Sequence, residues 1–118
     1  MSNTFTKRQL QVGELVKKTL NTSIISGNFH DRDLKNAFIS VNEVRISPDL
    51  KNAKAFVTII NEEHPHKAIK ALNKAVPFFK KEFSEKLHLK FIPNIVFLKD
   101  ETEEEAYRIN ALLKEIQE

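Results

Sequence analysis

Apolar residues recur along this chain with two different periods, and the switches between them divide it into elements. Phe5, Val12, Val16 and Leu20 fall near one face of a helix running from about Thr6 to Leu20, with Leu15 beside them. Gly13 lies inside that helix, where it costs about 1 kcal/mol relative to alanine, so its presence points to close packing. Asn21 to Lys35 has mixed polarity around Gly27 and reads as a connection. Phe38 to Ser47 then reads as a strand and Ala53 to Ile60 as its antiparallel partner. In the second strand Ala53, Ala55, Val57 and Ile59 face one way, and Lys54, Phe56, Thr58 and Ile60 the other. In the first, Ile39 and Val41 share a parity that Val44 and Ile46 reverse, which a bulge near Asn42-Glu43 reconciles. Between the strands, Pro48 sets a turn-compatible φ and Asp49 bonds its own downstream backbone.

The helical period returns after Ile60. Glu62-Glu63-His64-Pro65 starts a helix, with acid near its N-terminus and proline in its first turn. Ile69, Leu72, Val76, Phe79, Phe83 and Leu87 form one apolar stripe, interrupted by Pro77. Proline there removes a backbone donor and crowds the preceding turn, which predicts two helices meeting at a kink over Ala75, Val76 and Pro77. The stripe keeps its spacing through the kink, so both halves face the same sheet. Leu89 to Leu98 reads as a third strand, and Pro93 within it requires an edge position or a bulge. A last, acidic-capped helix over about 102–117 opens on a Thr102/Glu105 capping box and carries Ile109, Leu112, Leu113 and Ile116 on one face. The order helix, strand, strand, helix, kink, helix, strand, terminal helix predicts one α+β domain over residues 1–118. Its three-stranded sheet is covered by helices on one face.

Composition narrows the function. With 118 residues and 41% hydrophobic content the chain forms one modest core. No cysteine is present, which excludes disulfides, thiolate zinc sites and thiol nucleophiles. The polar start lacks a signal-peptide core and no apolar run approaches membrane-spanning length, so a cytoplasmic protein without membrane attachment is expected. Residues 1–99 hold 17 Lys and Arg against 9 Asp and Glu, whereas residues 100–118 hold 2 against 7. A basic body with an acidic end suits a polyanion approached from one side. The same balance also fits an ordinary solvated surface.

Lys67, Lys70, Lys74 and Lys81 lie on one side of the helix pair, roughly opposite the apolar stripe, with Lys80 flanking them and Phe78 nearby. Lysines around an exposed aromatic neutralise phosphates and stack an unpaired base. The competing reading is the wet face of an amphipathic pair, with Phe78 tucked into a neighbour. Arg45, Lys51 and Lys54 surround the hairpin, and Lys7, Arg8, Lys17 and Lys18 decorate the first helix. The acidic run from Asp100 to Glu105 follows from the helix dipole without a metal. His64-Pro65-His66 lacks the further ligands that a metal site needs, and His30 and His88 are distant in sequence. No nucleophile elbow, phosphate loop or catalytic carboxylate pair occurs, so no catalytic residue, cofactor, metal or small-molecule substrate is assigned.

Several segments, in order, resemble the bacterial ribosome-binding factor A family. They are Arg8-Gln9-Leu10-Gln11-Val12-Gly13-Glu14-Leu15, the hairpin Val41–Val57, Ala71-Leu72-Asn73-Lys74-Ala75, Phe91-Ile92-Pro93-Asn94-Ile95-Val96-Phe97 and Arg108-Ile109-Asn110-Ala111-Leu112-Leu113. Arg8 falls on a motif position, where an RNA contact and a structural salt bridge are equal readings. The resemblance implies the K-homology fold of the second type. It implies a non-enzymatic assembly factor that binds free small (30S) ribosomal subunits and 16S ribosomal RNA. The implied role is in late maturation and 5′-end processing, important in the cold. A monomer is expected. The Gly-x-x-Gly clamp of ordinary K-homology domains is absent, since Gly13 and Gly27 do not form it. The family has a helix-kink-helix there instead. Asn28-Phe29-His30-Asp31-Arg32-Asp33 departs from the Asp-Pro-rich turn frequent in the family. The alternatives are a general K-homology-type single-stranded RNA-binding protein and a protein-interaction module whose charge serves solubility.

Overall fold

A computed structural model describes residues 5–26, 38–60, 64–87, 89 and 91–101. The elements are α1 (Lys7–Ser26), β1 (Phe38–Ile46), β2 (Asn52–Ile60), α2 (Pro65–Lys74), α3 (Val76–Lys86) and β3 (Asn94–Lys99). The strand order is β1-β2-β3, with β1 antiparallel and β3 parallel to the central β2. The expected helix over 102–117, the connection from Gly27 to Lys35, and Glu62-Glu63 with His30 and His88 lie outside the described residues.

The period-two reading of the hairpin holds. Ala53, Ala55 and Val57 are buried on β2, flanked by Ile39, Val41 and Ile46 on β1 and by Ile95 and Phe97 on β3. The register shifts between Val41 and Glu43, so a bulge changes the parity of β1 where the sequence requires it. Helices cover this buried face: α1 lies against β1 through Val12, Val16 and Leu20, while α2 and α3 reach β3 through Ala68, Ala71, Leu72, Phe79 and Phe83. Small alanines on the central strand leave room for these larger helical side chains. Gly13 serves the close approach anticipated for it, because a Cβ there would stand 2.8 Å from the Val44 carbonyl oxygen.

Two boundaries differ from the sequence reading. α1 runs to Ser26 rather than ending near Leu20. Its last turns look polar, but their polar atoms have tertiary partners. The Asn21 amide donates to the Val41 carbonyl at 3.0 Å and accepts from the Val41 N–H at 2.8 Å. The fully buried Ser23 donates to a Glu82 carboxylate oxygen at 3.2 Å. β3 begins at Asn94, not Leu89. Pro93 has no N–H for a ladder, so pairing opens one residue later, at Asn94 opposite Asn52. β3 is an edge strand, one of the two positions that Pro93 allowed.

Candidate nucleic-acid interface

The cationic residues are positioned first by the helix pair. Pro65 opens α2, where its missing donor is one the first turn would leave unpaired. Lys67, Lys70 and Lys74 follow at spacings of three and four and are exposed, while Ala68, Ala71 and Leu72 are buried against the sheet. α2 ends at Ala75, whose N–H reaches the carbonyls of Ala71 and Leu72, each at 3.0 Å. The Ala75 carbonyl in turn accepts from the N–H of Phe78 at 2.9 Å and of Phe79 at 3.2 Å, so one residue closes α2 and opens α3. Pro77 has no N–H with which to continue the α2 ladder. The kink therefore stands where Ala75, Val76 and Pro77 predicted it.

Beyond the kink, Lys81 is exposed and Lys80 half-buried. Lys80 Nζ donates to Asn94 Oδ1 at 3.0 Å, and the Asn94 N–H donates to the Lys51 carbonyl at 2.8 Å. The start of β3 thus draws Lys80 and the hairpin residue Lys51 to one corner. Phe78 is half-buried, packed on the core margin with its ring edge-on to Phe79 at 5.4 Å. It presents only part of its surface to solvent, closer to the tucked reading than to a fully open platform.

Arg45 and Lys54 occupy a different place. They are direct cross-strand partners on the face of the sheet away from the helices. Arg45 Nε donates to a Glu43 carboxylate oxygen at 2.8 Å, and its guanidinium lies 5.1 Å from the centre of the Phe56 ring. The bond to Glu43 raises the Arg45 pKa above its ordinary range. Arg8, exposed in the first turn of α1, borders a cavity of about 260 Å³ with Val12, Asp49, Leu50, Leu89 and Phe91. The ten candidate residues therefore do not converge. Lys67, Lys70, Lys74, Phe78, Lys80 and Lys81 follow the helix pair, Arg45 and Lys54 the open sheet face, Lys51 the turn and Arg8 the α1 end.

Asp49 acts as a turn staple. Ser47 Oγ donates to it at 2.6 Å and the Lys51 N–H at 3.0 Å, which lowers its pKa below the ordinary 3.8. Leu50, at φ 63°, completes the reversal, with its N–H bonded to the Ser47 carbonyl at 2.8 Å. Among the described residues no group of three or more His, Asp or Glu converges on a point where a metal could sit. Two residues with no role assigned from sequence prove central. Asn94 joins Lys80 to the turn, and Asn73 on α2 clamps Phe97, donating to its carbonyl at 3.2 Å and accepting from its N–H at 2.8 Å. Both lie in segments that resemble the family, but neither that resemblance nor an amide at the end of an apolar period specifies a partner.

Comparison with known proteins places this architecture. A family model described as Ribosome-binding factor A matches residues 8–113. The chain is 39% identical to the ribosome-binding factor A of Bradyrhizobium diazoefficiens over 108 residues, covering 92% of this chain and 75% of that one. The crystal structure of ribosome-binding factor A from Thermus thermophilus is similar with a TM-score of 0.64, over 77% of this chain and 94% of that chain, at 22% identity. A homology model of the Thermus thermophilus factor, fitted into a cryo-electron-microscopy map of a 30S complex, has a TM-score of 0.59 at 22% identity, over 75% and 90% of the two chains. The two structural likenesses speak for the fold, while the family model and the sequence relative reach across nearly the whole length. On that basis the chain belongs to the ribosome-binding factor A family.

Proposed function

We propose that this protein is a non-enzymatic assembly factor that binds free small ribosomal subunits through 16S ribosomal RNA and assists their late maturation, including 5′-end processing. The observation that carries this reading is the exposed row Lys67, Lys70 and Lys74 on α2, ending at the kink and continued by Lys80 and Lys81. A family relative has been fitted into a 30S complex, which supports the same class of partner. The element order helix, strand, strand, helix, helix, strand agrees with a K-homology-like domain of the second type. The kink at Ala75 stands in place of a Gly-x-x-Gly clamp. Binding accordingly relies on phosphate neutralisation for affinity and on folded-RNA shape for selectivity, with no bond made or broken. The protein acts as a monomer, in the cytoplasm where ribosomes are assembled. Among the described residues no helix is long and apolar enough to cross a membrane. Loss of the protein is expected to slow growth most in the cold, when RNA rearrangement is hardest.

The test is sedimentation of tagged protein with cell extract. Co-migration with free small subunits, and not with complete ribosomes, is the expected result. Neutralising ~4–6 phosphates gives a log-log salt slope of about −3 to −5. Equal affinity for naked single strands would favour a general K-homology-type binder, and a flat salt response a protein-interaction module. The combined variant Lys70→Glu, Lys74→Glu and Lys81→Glu is expected to keep its fold and lose subunit binding. Retained binding would move the interface elsewhere.

A further inference from the structure

The cavity between the start of α1, the hairpin turn and the approach to β3 has a lining of two kinds. Its inner wall is apolar: Val12 is buried, and Leu50 and Leu89 are half-buried against the core. Leu50 stands there at φ 63°, a conformation that glycine or asparagine adopts more readily, so the turn brings a leucine to this wall against its local preference. The mouth carries three exposed side chains, the Arg8 guanidinium, the Asp49 carboxylate and the Phe91 ring, the last 63% exposed. Arg8 and Asp49 are opposite in charge and border one cavity, yet among the described residues they form no ion pair with each other. Asp49 is held by its own turn instead. The Ser47 hydroxyl and the Lys51 N–H both bond Oδ1, so Oδ2 keeps its capacity to accept. At about 260 Å³ the cavity lies just under the ~300–1,000 Å³ of drug-sized sites, which is room for one planar ring system.

We infer that this cavity takes one unpaired guanine base of the bound RNA, read on its two edges by Asp49 and Arg8; the inference rests on the RNA-binding reading and gives it a base preference. A carboxylate repels phosphate but accepts hydrogen bonds from a base. Guanine presents two adjacent donors, N1–H and the N2 amino group, on its Watson–Crick edge, and two adjacent acceptors, O6 and N7, on its Hoogsteen edge. The donors match Asp49, and the acceptors match the planar fork of Arg8. The flat faces of the base suit the walls made by Leu50, Leu89 and Phe91. Adenine would turn its acceptor N1 toward the carboxylate. Cytosine has a single amino group, and uracil one N–H between two carbonyls, so each of the three leaves a charge poorly matched. An apolar protein side chain would fill the inner wall but offer nothing to either charge, and closing the mouth over unmet charges is costly. The cavity also adjoins the cationic corner of the molecule. Asp49 and Leu50 run directly into Lys51, whose carbonyl accepts from the Asn94 N–H, while Asn94 Oδ1 holds Lys80. A strand whose phosphates lie on the lysine row therefore ends with a base beside the opening.

The test titrates the full-length protein with the monophosphates of guanosine, adenosine, cytidine and uridine. The Leu50 and Leu89 methyl signals and the Arg8 side-chain N–H are followed by NMR. Guanosine monophosphate is expected to shift all three saturably and to bind about fivefold or more tighter than the others. Inosine monophosphate lacks the N2 amino group, and the deaza analogue of guanosine monophosphate lacks the N7 acceptor. Each is expected to lose most of that preference, with the protein itself unaltered. Asp49→Asn keeps an oxygen for Ser47 and Lys51 but not the carboxylate, and is expected to abolish discrimination between the guanosine and inosine forms. Should that variant disturb the turn, the two analogues on the unmutated protein decide. Equal binding of the four nucleotides, or shifts confined to α2 and α3, overturns the inference. If subunits still bind with the expected salt slope, the inference falls alone. Absence of subunit binding overturns the RNA reading beneath it, and the inference with it.

Discussion

A single amide at Asn73 does for the outer edge of β3 what a neighbouring strand would do. It satisfies both the N–H and the carbonyl of Phe97 on the outer edge of β3, and Asn21 does the same for Val41 on the outer edge of β1. Each clamp ties a helix to a sheet edge and withdraws two backbone groups from pairing with another chain. Asn73→Ala removes two hydrogen bonds worth about 1 kcal/mol each, so a loss of about 1–3 kcal/mol is expected in urea unfolding. The Phe97 amide should also exchange faster in proportion. An unchanged midpoint would mean that water replaces the clamp fully. Gly13 makes the opposite point, a position where a side chain does harm. Alanine would improve helix propensity by about 1 kcal/mol, but its Cβ would meet a backbone carbonyl at 2.8 Å that cannot rotate away. Overpacking of this kind costs about 1–3 kcal/mol, so Gly13→Ala is expected to lower Tm. A rise in Tm would show that α1 slides freely on β1.

At the scale of elements, the kink is the feature most fully legible beforehand. Pro77 acts through its own missing N–H and its ring, and the apolar stripe on both sides forces the halves to stay on one sheet. Pro77→Ala restores a donor four residues after Asn73. Its new amide should bond the Asn73 carbonyl and become protected from hydrogen exchange. Fast exchange there would show that packing of Leu72 and Phe79 imposes the bend by itself. The bulge at Asn42 was legible for a similar reason, since a parity reversal within one strand has few other physical solutions. The final turns of α1 were not legible. Asn21 and Ser23 interrupt the apolar period, and only their partners Val41 and Glu82 explain why a helix tolerates them. The start of β3 was misplaced because Leu89 and Ile92 extend the apolar run, whereas ladder pairing waits for the first residue after Pro93.

For the whole molecule, the sheet separates the cations into groups with different surroundings. Arg45 is engaged by Glu43 and Phe56 on the open face, while Lys67, Lys70 and Lys74 project from the helix pair on the other side. One flat polyanion cannot lie on both. If the α2 row is the interface, Lys70→Gln and Lys74→Gln should each reduce the salt slope of subunit binding by about 1, and Lys54→Gln should leave it unchanged. The reverse pattern would transfer the interface to the open face.

The chain's periodicities, its proline positions and its charge balance determined the α+β order, the bulge, the turn and the kink, because each of these is set by interactions within a few residues. Which cations share a face was decided only by the tertiary structure, as was the clamping of both sheet edges by asparagines. Those relations join residues 20 and 24 apart at Asn21–Val41 and Asn73–Phe97, and folding alone brings such pairs into contact. A local pattern carries the direction of a side chain but not the identity of what it will meet.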